Sequence, residues 1–219
     1  LTTITLEFII GFVVALLLYR EVAGSRVFRL IFAVPLMVAP VVSGLQWRWL
    51  FADQYGIINA LMNKLGLEAP LWFTQVSTSW VTIIVANLWL ATPFVILVLL
   101  AGLGGLSEEL NEAASIDGAG RWAKIKYVTL PGIKPTIIIL LLMNVGSVLN
   151  AGFEIQYLLG NGLIQKVSQT IDIYVLKWGI SQGDYAIGTA AGIFKSVVSI
   201  ILIFIANKIA KHNGEEQLF

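Results

Sequence analysis

Long apolar runs alternate with shorter polar stretches along most of this chain. A bilayer core of about 30 Å needs roughly 20 apolar residues of helix, and five of the runs approach or reach that length. The pattern therefore predicts an all-α, polytopic membrane helical bundle. The predicted spans cover residues 4–18, 30–47, 76–101, 133–151 and 186–207.

The first predicted span is the shortest, and the chain opens inside it at Leu1 rather than at a methionine. A span clipped at its start has this appearance. We therefore expect that the natural N-terminus is missing and that it includes a further membrane span.

Prolines and one amphipathic run modify this simple picture. Pro35 and Pro40 lie within the second predicted span and predict that it is kinked. Gly56–Leu65, reading GIINALMNKL, places apolar residues at helical spacing. This run predicts a short helix that lies on the membrane surface and packs on the bundle.

Composition supports a membrane protein and excludes several other classes. The 219 residues are 58% hydrophobic and 12% charged, against about 45–50% and about 25% in soluble domains. The net charge of +1 gives no electrostatic basis for binding nucleic acid. Cysteine is absent, and the single histidine, His212, lies in a polar tail. We therefore predict no catalytic, metal or cofactor-binding residues on this chain.

Lysines and arginines are distributed unevenly between the two predicted sides of the membrane, nine against four. Basic loops favour the cytoplasm, so the richer side is predicted to be inside. It carries Arg20, Arg26, Arg29, Arg121, Lys124, Lys126, Lys134, Lys208 and Lys211, and the outer side carries Arg48, Lys64, Lys166 and Lys177.

The most ordered polar stretch is Glu108–Pro131, reading EELNEAASIDGAGRWAKIKYVTLP. Ser107 is a good N-cap for a helix whose first turns are acidic. Gly118 and Gly120 permit a bend. A second short helix is predicted from Arg121 to Val128, with Pro131 ending it. On these features alone the stretch is either an ordinary surface connector or a docking element.

The spacing within this stretch resembles the EAA loop of binding-protein-dependent ABC-importer permeases. The pattern Glu-Ala-Ala, three residues, Gly, nine residues, Ile, one residue, Leu-Pro is matched with Val128 at the Ile position. The order of spans is similar over essentially the whole chain. It is most similar to the sugar-importer branch, which includes the maltose transporter, and to a subgroup for complex oligosaccharides and polysaccharide fragments.

The resemblance implies a type I ABC importer permease fold, with residues 1–219 as one transmembrane domain and residues 107–131 as its cytoplasmic coupling loop. It implies a transport subunit without chemistry on its substrate. Partners would be a second related permease, two ATP-binding subunits that hold ATP and Mg, and an extracellular substrate-binding protein. The implied coupling residues are Glu112, Ala113, Ala114, Gly118, Arg121, Leu130 and Pro131.

Several polar residues at or near membrane depth are candidates for a substrate path. Asn144, Ser147 and Asn150 recur every three residues, which predicts one polar helical face toward the bundle interior. Tight helix packing and a substrate path both explain such a face. Lys195 lies mid-span and either makes a structural pair, reaches the interface, or faces the path.

A second polar segment, residues 152–184, follows the fourth predicted span on the outer side. Glu154 and Gln156 offer hydrogen bonds to sugar hydroxyls, and Tyr174 or Trp178 offers a ring for stacking. An ordinary polar loop with interfacial aromatic residues is the other interpretation.

Two other classes of function remain open on the residues alone. One is an ion- or proton-coupled secondary transporter, although the spans after Glu7 carry no carboxylate at depth and no internal repeat is evident. The other is a membrane scaffold for an ATPase that does not itself transport.

Overall fold

Helices make up all the regular secondary structure in the computed structural model, within residues 2–19, 24–150 and 152–212. Leu1, Arg20, Ala151 and the tail from residue 213, which enter the predictions above, lie outside these described residues. The first six helices are α1 (Thr2–Tyr19), α2 (Ser25–Met37), α3 (Pro40–Leu50), α4 (Ile57–Lys64), α5 (Val76–Gly104) and α6 (Glu108–Ile116).

The second half of the chain contains shorter pieces before its last long helix. Two of the pieces contain π-helical turns, here called the first wide turn (Ile125–Thr129) and the second wide turn (Val175–Ile180). The helices are α7 (Arg121–Lys124), α8 (Leu130–Gly132), α9 (Lys134–Gly146), α10 (Phe153–Leu159), α11 (Gln165–Ser168), α12 (Ile171–Tyr174) and α13 (Tyr185–His212).

Five membrane spans are accommodated, as the apolar runs predict. Within the described residues α1, α5 and α13 are each long and apolar enough to cross a membrane. Two bent pairs bring the number to five if each counts as one span: α2 with α3, bent by 102°, and α9 with the segment Arg121–Gly132 that precedes it, bent by 60°. The all-α membrane fold predicted from the sequence is therefore confirmed.

The second span is broken rather than kinked. The break falls at Ala39, whose extended backbone (φ −58°, ψ 137°) is the conformation that a following proline favours. Pro40 then starts α3, where its missing N–H leaves no bond unmade. Pro35, by contrast, lies inside α2. The prediction that both prolines only kink one span is wrong, because Pro40 begins a new helix.

The predicted stop at Pro131 is also wrong. Pro131 lies in the first turn of α8, a position that proline tolerates. The first wide turn precedes it, and the N–H of Leu130 reaches back to the carbonyl of Ile125. The helix therefore continues to Gly132, and the bend comes at Ile133.

The described residues fall into two compact units. Unit 1 contains Val34–Ala91 and Ser147–Ser199, and Unit 2 contains Thr2–Ala33, Thr92–Gly146 and the chain from Ile200. The core of Unit 1 is formed by Ile83, Ala86, Ile155, Leu159 and Ile164, and that of Unit 2 by Ala15, Val95, Leu99, Leu103, Ile133 and Leu140.

The short helix α4 confirms the predicted element but not the predicted face. Its apolar residues Ile57 and Leu61 are exposed, whereas Asn59 is buried. The Asn59 amide donates to the carbonyl of Asp53 at 2.9 Å and accepts from the indole N–H of Trp72 at 2.6 Å. These polar bonds, rather than apolar packing, hold α4 in Unit 1.

Candidate functional site

The polar stretch Ser107–Pro131, called the 107–131 loop below, begins with a capped helix. The hydroxyl of Ser107 accepts a hydrogen bond from the backbone N–H of Glu109 at 3.2 Å. Glu108 and Glu109 lie in the first turn of α6, where the positive end of the helix dipole favours acids. The predicted N-cap is confirmed.

The bend of the 107–131 loop is a Schellman motif with Gly118 in the left-handed region, at φ +74°. The N–H of Gly118 donates to the carbonyl of Ser115 at 3.1 Å, and the N–H of Ala119 donates to that of Ala114 at 2.8 Å. No heavy atom lies within 4 Å of the place a Cβ on Gly118 would take. Glycine is therefore favoured here for its backbone angle and not for lack of space.

The second arm of the 107–131 loop starts at Arg121 and continues through the first wide turn into α8. The ammonium group of Lys124 donates a hydrogen bond to the hydroxyl of Ser115, on the opposite side of the bend. At the base, Gly132 lies against the side chain of Leu106, whose end would have to move to make room for a Cβ. These contacts fix the two arms relative to each other within Unit 2.

The predicted coupling residues lie on accessible surface. No residue of α6 or α7 is buried. Glu112, Ala113, Gly118, Arg121, Leu130 and Pro131 are exposed, and Ala114 is half-buried.

Two bulky apolar residues of this loop were not singled out from the sequence. Ile116 is 86% exposed and Trp122 is 83% exposed, one on each side of Gly118. Their presence within an otherwise polar stretch was the available signal. The exposed surface of the loop is therefore not only charged and small, because Leu110, Tyr127 and Leu130 are exposed as well, and these two residues are the most exposed of the five.

The predicted polar face of Asn144, Ser147 and Asn150 does not form. Helix α9 ends at Gly146, so only Asn144 is helical. Its amide donates to the carbonyl of Leu140, one turn back, at 3.2 Å. Ser147 and Asn150 follow in a turn, with the N–H of Asn150 donating to the carbonyl of Ser147 at 2.8 Å. The three-residue spacing places these side chains on one face only if the helix continues to Asn150, and α9 ends at Gly146.

Lys195 makes the structural pair that was one of its predicted alternatives. Its ammonium group lies 2.6 and 2.8 Å from the two carboxylate oxygens of Asp172. The side chains are 17% and 33% exposed, respectively. Asp172 lies on α12, which Thr170 caps by accepting from the N–H of Ile173. The sequence did not single out Asp172, which is 23 residues from Lys195.

The remaining candidates, which the sequence predicted to lie on the outer side, are in Unit 1. Glu154 is half-buried in the first turn of α10. The rings of Tyr174 and Trp178 lie 6.4 Å apart in a tilted arrangement, and both are exposed. Glu154 is the one carboxylate among the path candidates, but the carboxylate that pairs with Lys195 is that of Asp172.

Comparison with known proteins identifies the family. Residues 7–213 match the family described as "Binding-protein-dependent transport system inner membrane component". The chain belongs to this family. The resemblance carried by the EAA-like spacing is thereby confirmed, and the chain is a transport component rather than an enzyme.

Relatives of this permease chain include transporters with named sugar substrates. Protein LplB of Bacillus subtilis is 43% identical over 77% of this chain and 53% of its own length. The trehalose/maltose transport system permease protein MalF of Thermococcus litoralis is 32% identical over 93% of this chain and 69% of its own. The polygalacturonan/rhamnogalacturonan transport system permease protein YteP of Bacillus subtilis is 36% identical over 74% of this chain and 47% of its own length. The matched part of this permease thus spans about half the length of LplB and of YteP.

A solved structure supports the same assignment. A chain of the bacterial alginate ABC transporter, crystallised with an alginate pentasaccharide-bound periplasmic protein, matches with a TM-score of 0.90. It is 28% identical and covers 99% of this permease and 78% of the solved chain. The permease fold predicted from the sequence is confirmed.

Proposed function

We propose that this permease is a membrane-spanning subunit of an ATP-driven importer for an oligosaccharide. The observation that carries the proposal is the 107–131 loop, which is braced across its bend by the Lys124–Ser115 hydrogen bond, is mostly exposed and matches the EAA spacing. The sugar class is supported by the substrates for which two relatives are named, trehalose/maltose and polygalacturonan/rhamnogalacturonan. Alternating access moves the sugar, and the chain does no chemistry on it.

In this proposal the 107–131 loop is a knob that docks into a groove of an ATP-binding subunit. Ile116 and Trp122 supply apolar contact area, and tryptophan is among the residues that dominate interface energies. The surface between these two large side chains does not protrude, because it is formed by the small residues Ala113, Ala114 and Gly118. Glu112 and Arg121 set charge complementarity at the rim, which governs the rate and specificity of docking more than its strength.

The knob transmits motion because its arms are braced. When partner subunits close on ATP, they displace α6, and the Lys124–Ser115 bond and the Gly132–Leu106 contact carry that displacement to α9. Packed elements that move as rigid bodies are the usual way in which such closure is transmitted. ATP and Mg belong to the partner subunits and supply the free energy of the cycle.

The remaining partners and the orientation form part of the same proposal. The excess of lysine and arginine on the side of the 107–131 loop supports a cytoplasmic position for it. A second related permease completes the pore, and an extracellular substrate-binding protein delivers the sugar. The alginate transporter was crystallised with such a sugar-loaded periplasmic protein.

For the substrate path, we retain Ser147, Asn150 and Glu154 of Unit 1 and Asn144 of Unit 2 as separate candidates, because no shared polar face forms. We assign Lys195 to support. Lys195 is bonded to both oxygens of Asp172 and so does not present an unpaired ammonium group. Its role is to hold α12 on α13.

The decisive experiment is co-purification of an ATP-binding subunit with the full-length chain and with a Gly118→Asp variant. Gly183→Asp is a matched control, because Gly183 also has φ +74° and no heavy atom near its Cβ position. We expect the subunit to be retained by the wild type and by Gly183→Asp, and to be lost with Gly118→Asp. Loss from both variants would point to a general effect of backbone strain, and recovery with none of the three would refute the proposal in favour of a secondary transporter.

A further inference from the structure

A polar cavity in Unit 1 has no role in the function proposed so far. Its volume is about 330 Å³, at the lower end of the ~300–1,000 Å³ typical of small-molecule sites. Its lining contains two cations and several amide side chains, but no carboxylate and none of the five path residues. The lining residues that matter here are Arg48, Gln156, Asn161, Gln165, Gln169 and Lys177.

Close packing between α3 and α10 places the first cation. Gly44 of α3 lies so near α10 that a Cβ on it would be 2.5 Å from Cδ1 of Leu158. Arg48 is four residues further along α3 and therefore on the same face. Arg48 lines the cavity together with Gln156 of α10.

The wall of the cavity is held by hydrogen bonds that leave little freedom. The Asn161 amide donates to the carbonyl of Phe73 at 2.7 Å, and its oxygen accepts from the N–H of Leu163 at 2.8 Å. The amide of Gln165 donates to the side-chain oxygen of Gln169. Asn161 thus links this wall of the cavity to Phe73, which lies 88 residues away along the chain.

Three groups of the lining, by contrast, have unused capacity. The side-chain oxygen Oε1 of Gln156 is buried and has no hydrogen-bond partner in the described part of the chain. Arg48 and Lys177 have no acidic partner within 4.0 Å among the described residues. A buried acceptor without a donor is unusual in a native protein and calls for a ligand or water.

We propose that this cavity is a subsite for a carboxylated sugar unit, so that the importer favours acidic oligosaccharides over neutral ones of the same length. The proposal rests on the oligosaccharide import proposed above and names its substrate class. The planar guanidinium of Arg48 matches a carboxylate in two parallel hydrogen bonds, and Lys177 adds a second positive charge. Gln156 accepts a hydrogen bond from a sugar hydroxyl.

The contrast with Lys195 strengthens the assignment. Lys195 is neutralised by Asp172 and has no net charge to offer an anion. Arg48 and Lys177 have no such partner, and both belong to the side that the charge distribution predicts to be outer. An acidic sugar delivered from outside would meet them before it reaches the middle of the membrane.

The test uses the assembled transporter in lipid nanodiscs and two trisaccharides that differ only in charge. One is trigalacturonate and the other is its carboxyl-reduced, neutral counterpart, with binding measured by isothermal titration calorimetry without the substrate-binding protein. We expect trigalacturonate to bind about tenfold tighter or more, because hydrogen bonds to charged groups are the stronger class. Added salt should reduce this difference.

Single substitutions test which residues cause the preference for trigalacturonate. Arg48→Gln and Lys177→Gln should each weaken trigalacturonate binding by about tenfold and leave the neutral sugar unchanged. Gln156→Leu should weaken both sugars. Lys166→Gln is the control, because Lys166 is an exposed cation of the same segment that does not line the cavity. Arg48→Lys, which retains the charge, should keep part of the preference and guards against misreading a folding defect.

The proposal is overturned if the two trisaccharides bind equally, or if Lys166→Gln has as large an effect as the two cavity variants. It is also overturned if Arg48→Gln and Lys177→Gln weaken binding of the substrate-binding protein alone, which would make the cavity a protein-docking surface. None of these results touches the proposed function, whose own test is co-purification with the ATP-binding subunit.

Discussion

The 107–131 loop and the 152–184 segment are both polar interruptions of an apolar chain, yet their side chains are placed in opposite ways. In the loop no residue of α6 or α7 is buried, and Thr129 of the first wide turn is the one buried residue. In the 152–184 segment every helical piece contributes a buried residue. These residues are Ile155, Leu159, Ser168, Ile173 and Gly179.

The hydrogen bonds differ in the same sense. Those that shape the loop are local, such as Ser107 to Glu109 and Lys124 to Ser115, which is nine residues away. In the 152–184 segment, Asn161 reaches Phe73 across 88 residues. A polar stretch that is ordered by its own bonds is free to meet a partner, whereas one ordered by distant bonds is part of the scaffold.

The sharpest test of this difference is a methyl group added to a packed glycine. A Cβ on Gly160 would lie 2.5 Å from the carbonyl oxygen of Gln156 and 2.7 Å from the hydroxyl of Ser168. We expect Gly160→Ala to reduce the free energy of unfolding by about 1–3 kcal/mol, as overpacking does. Thermal unfolding followed by the fluorescence of the seven tryptophans measures it.

Gly162→Ala is the matched control for that experiment, because no heavy atom lies within 4 Å of its Cβ position. Gly120→Ala, equally open within the 107–131 loop, should also leave the unfolding temperature unchanged. Equal unfolding temperatures for all three variants would contradict the packed character of the 152–184 segment.

The ion pair of Lys195 and Asp172 gives the next largest effect. Removing either charge should cost about 1–2 kcal/mol, less than for a fully buried pair because both side chains are partly exposed. The double variant Lys195→Met with Asp172→Asn should regain most of that loss in a double-mutant cycle. Lys208→Met, at an exposed position of α13, is the control.

Uptake by the same variants separates support from a path role. If Lys195 only holds α12 on α13, the double variant should keep the substrate preference of the wild type. A changed preference in the double variant would return Lys195 to the path lining. Unchanged rate and preference even in Lys195→Ala would remove it from both roles.

The smallest effects are expected at the helix caps. Loss of an N-cap hydroxyl typically costs about 1 kcal/mol. Ser107→Ala should fray only the exposed start of α6 and leave the unfolding temperature nearly unchanged. Thr170→Ala should lower that temperature measurably, because α12 contains buried Ile173 and paired Asp172. Hydrogen exchange of the backbone N–H groups of Glu109 and Ile173 measures the fraying of the starts of α6 and α12 separately.

The sequence predicted the elements better than their ends and faces. Run length alone located the spans, because burial in lipid requires a continuous apolar helix. The bend of the 107–131 loop was predicted from Gly118, whose left-handed backbone follows from local chemistry. The end of α9 at Gly146 was missed, and with it the loss of the predicted Asn144–Asn150 face.

The remaining misses have a common physical origin. Asn59 is buried on α4 because Trp72, 13 residues away, donates to it, and Lys195 is held by Asp172 at a distance of 23 residues. Such pairs depend on how distant segments meet, which periodicity does not encode. The exposure of Trp122 also depends on the fold, because the sequence alone gives no reason to leave a large ring uncovered.

The two wide turns each hold one residue more than an α-helical turn. Insertion of a single residue into an ordinary helix produces such a bulge. A relative that lacks one residue within Ile125–Thr129 would have a regular helix there and would keep Leu130 and Pro131 on the same face, because the bulge takes up the extra residue. A one-residue gap at this point of an alignment would therefore leave the exposed face of the 107–131 loop unchanged, whereas a gap within a regular helix turns the residues that follow it by about 100° around the axis.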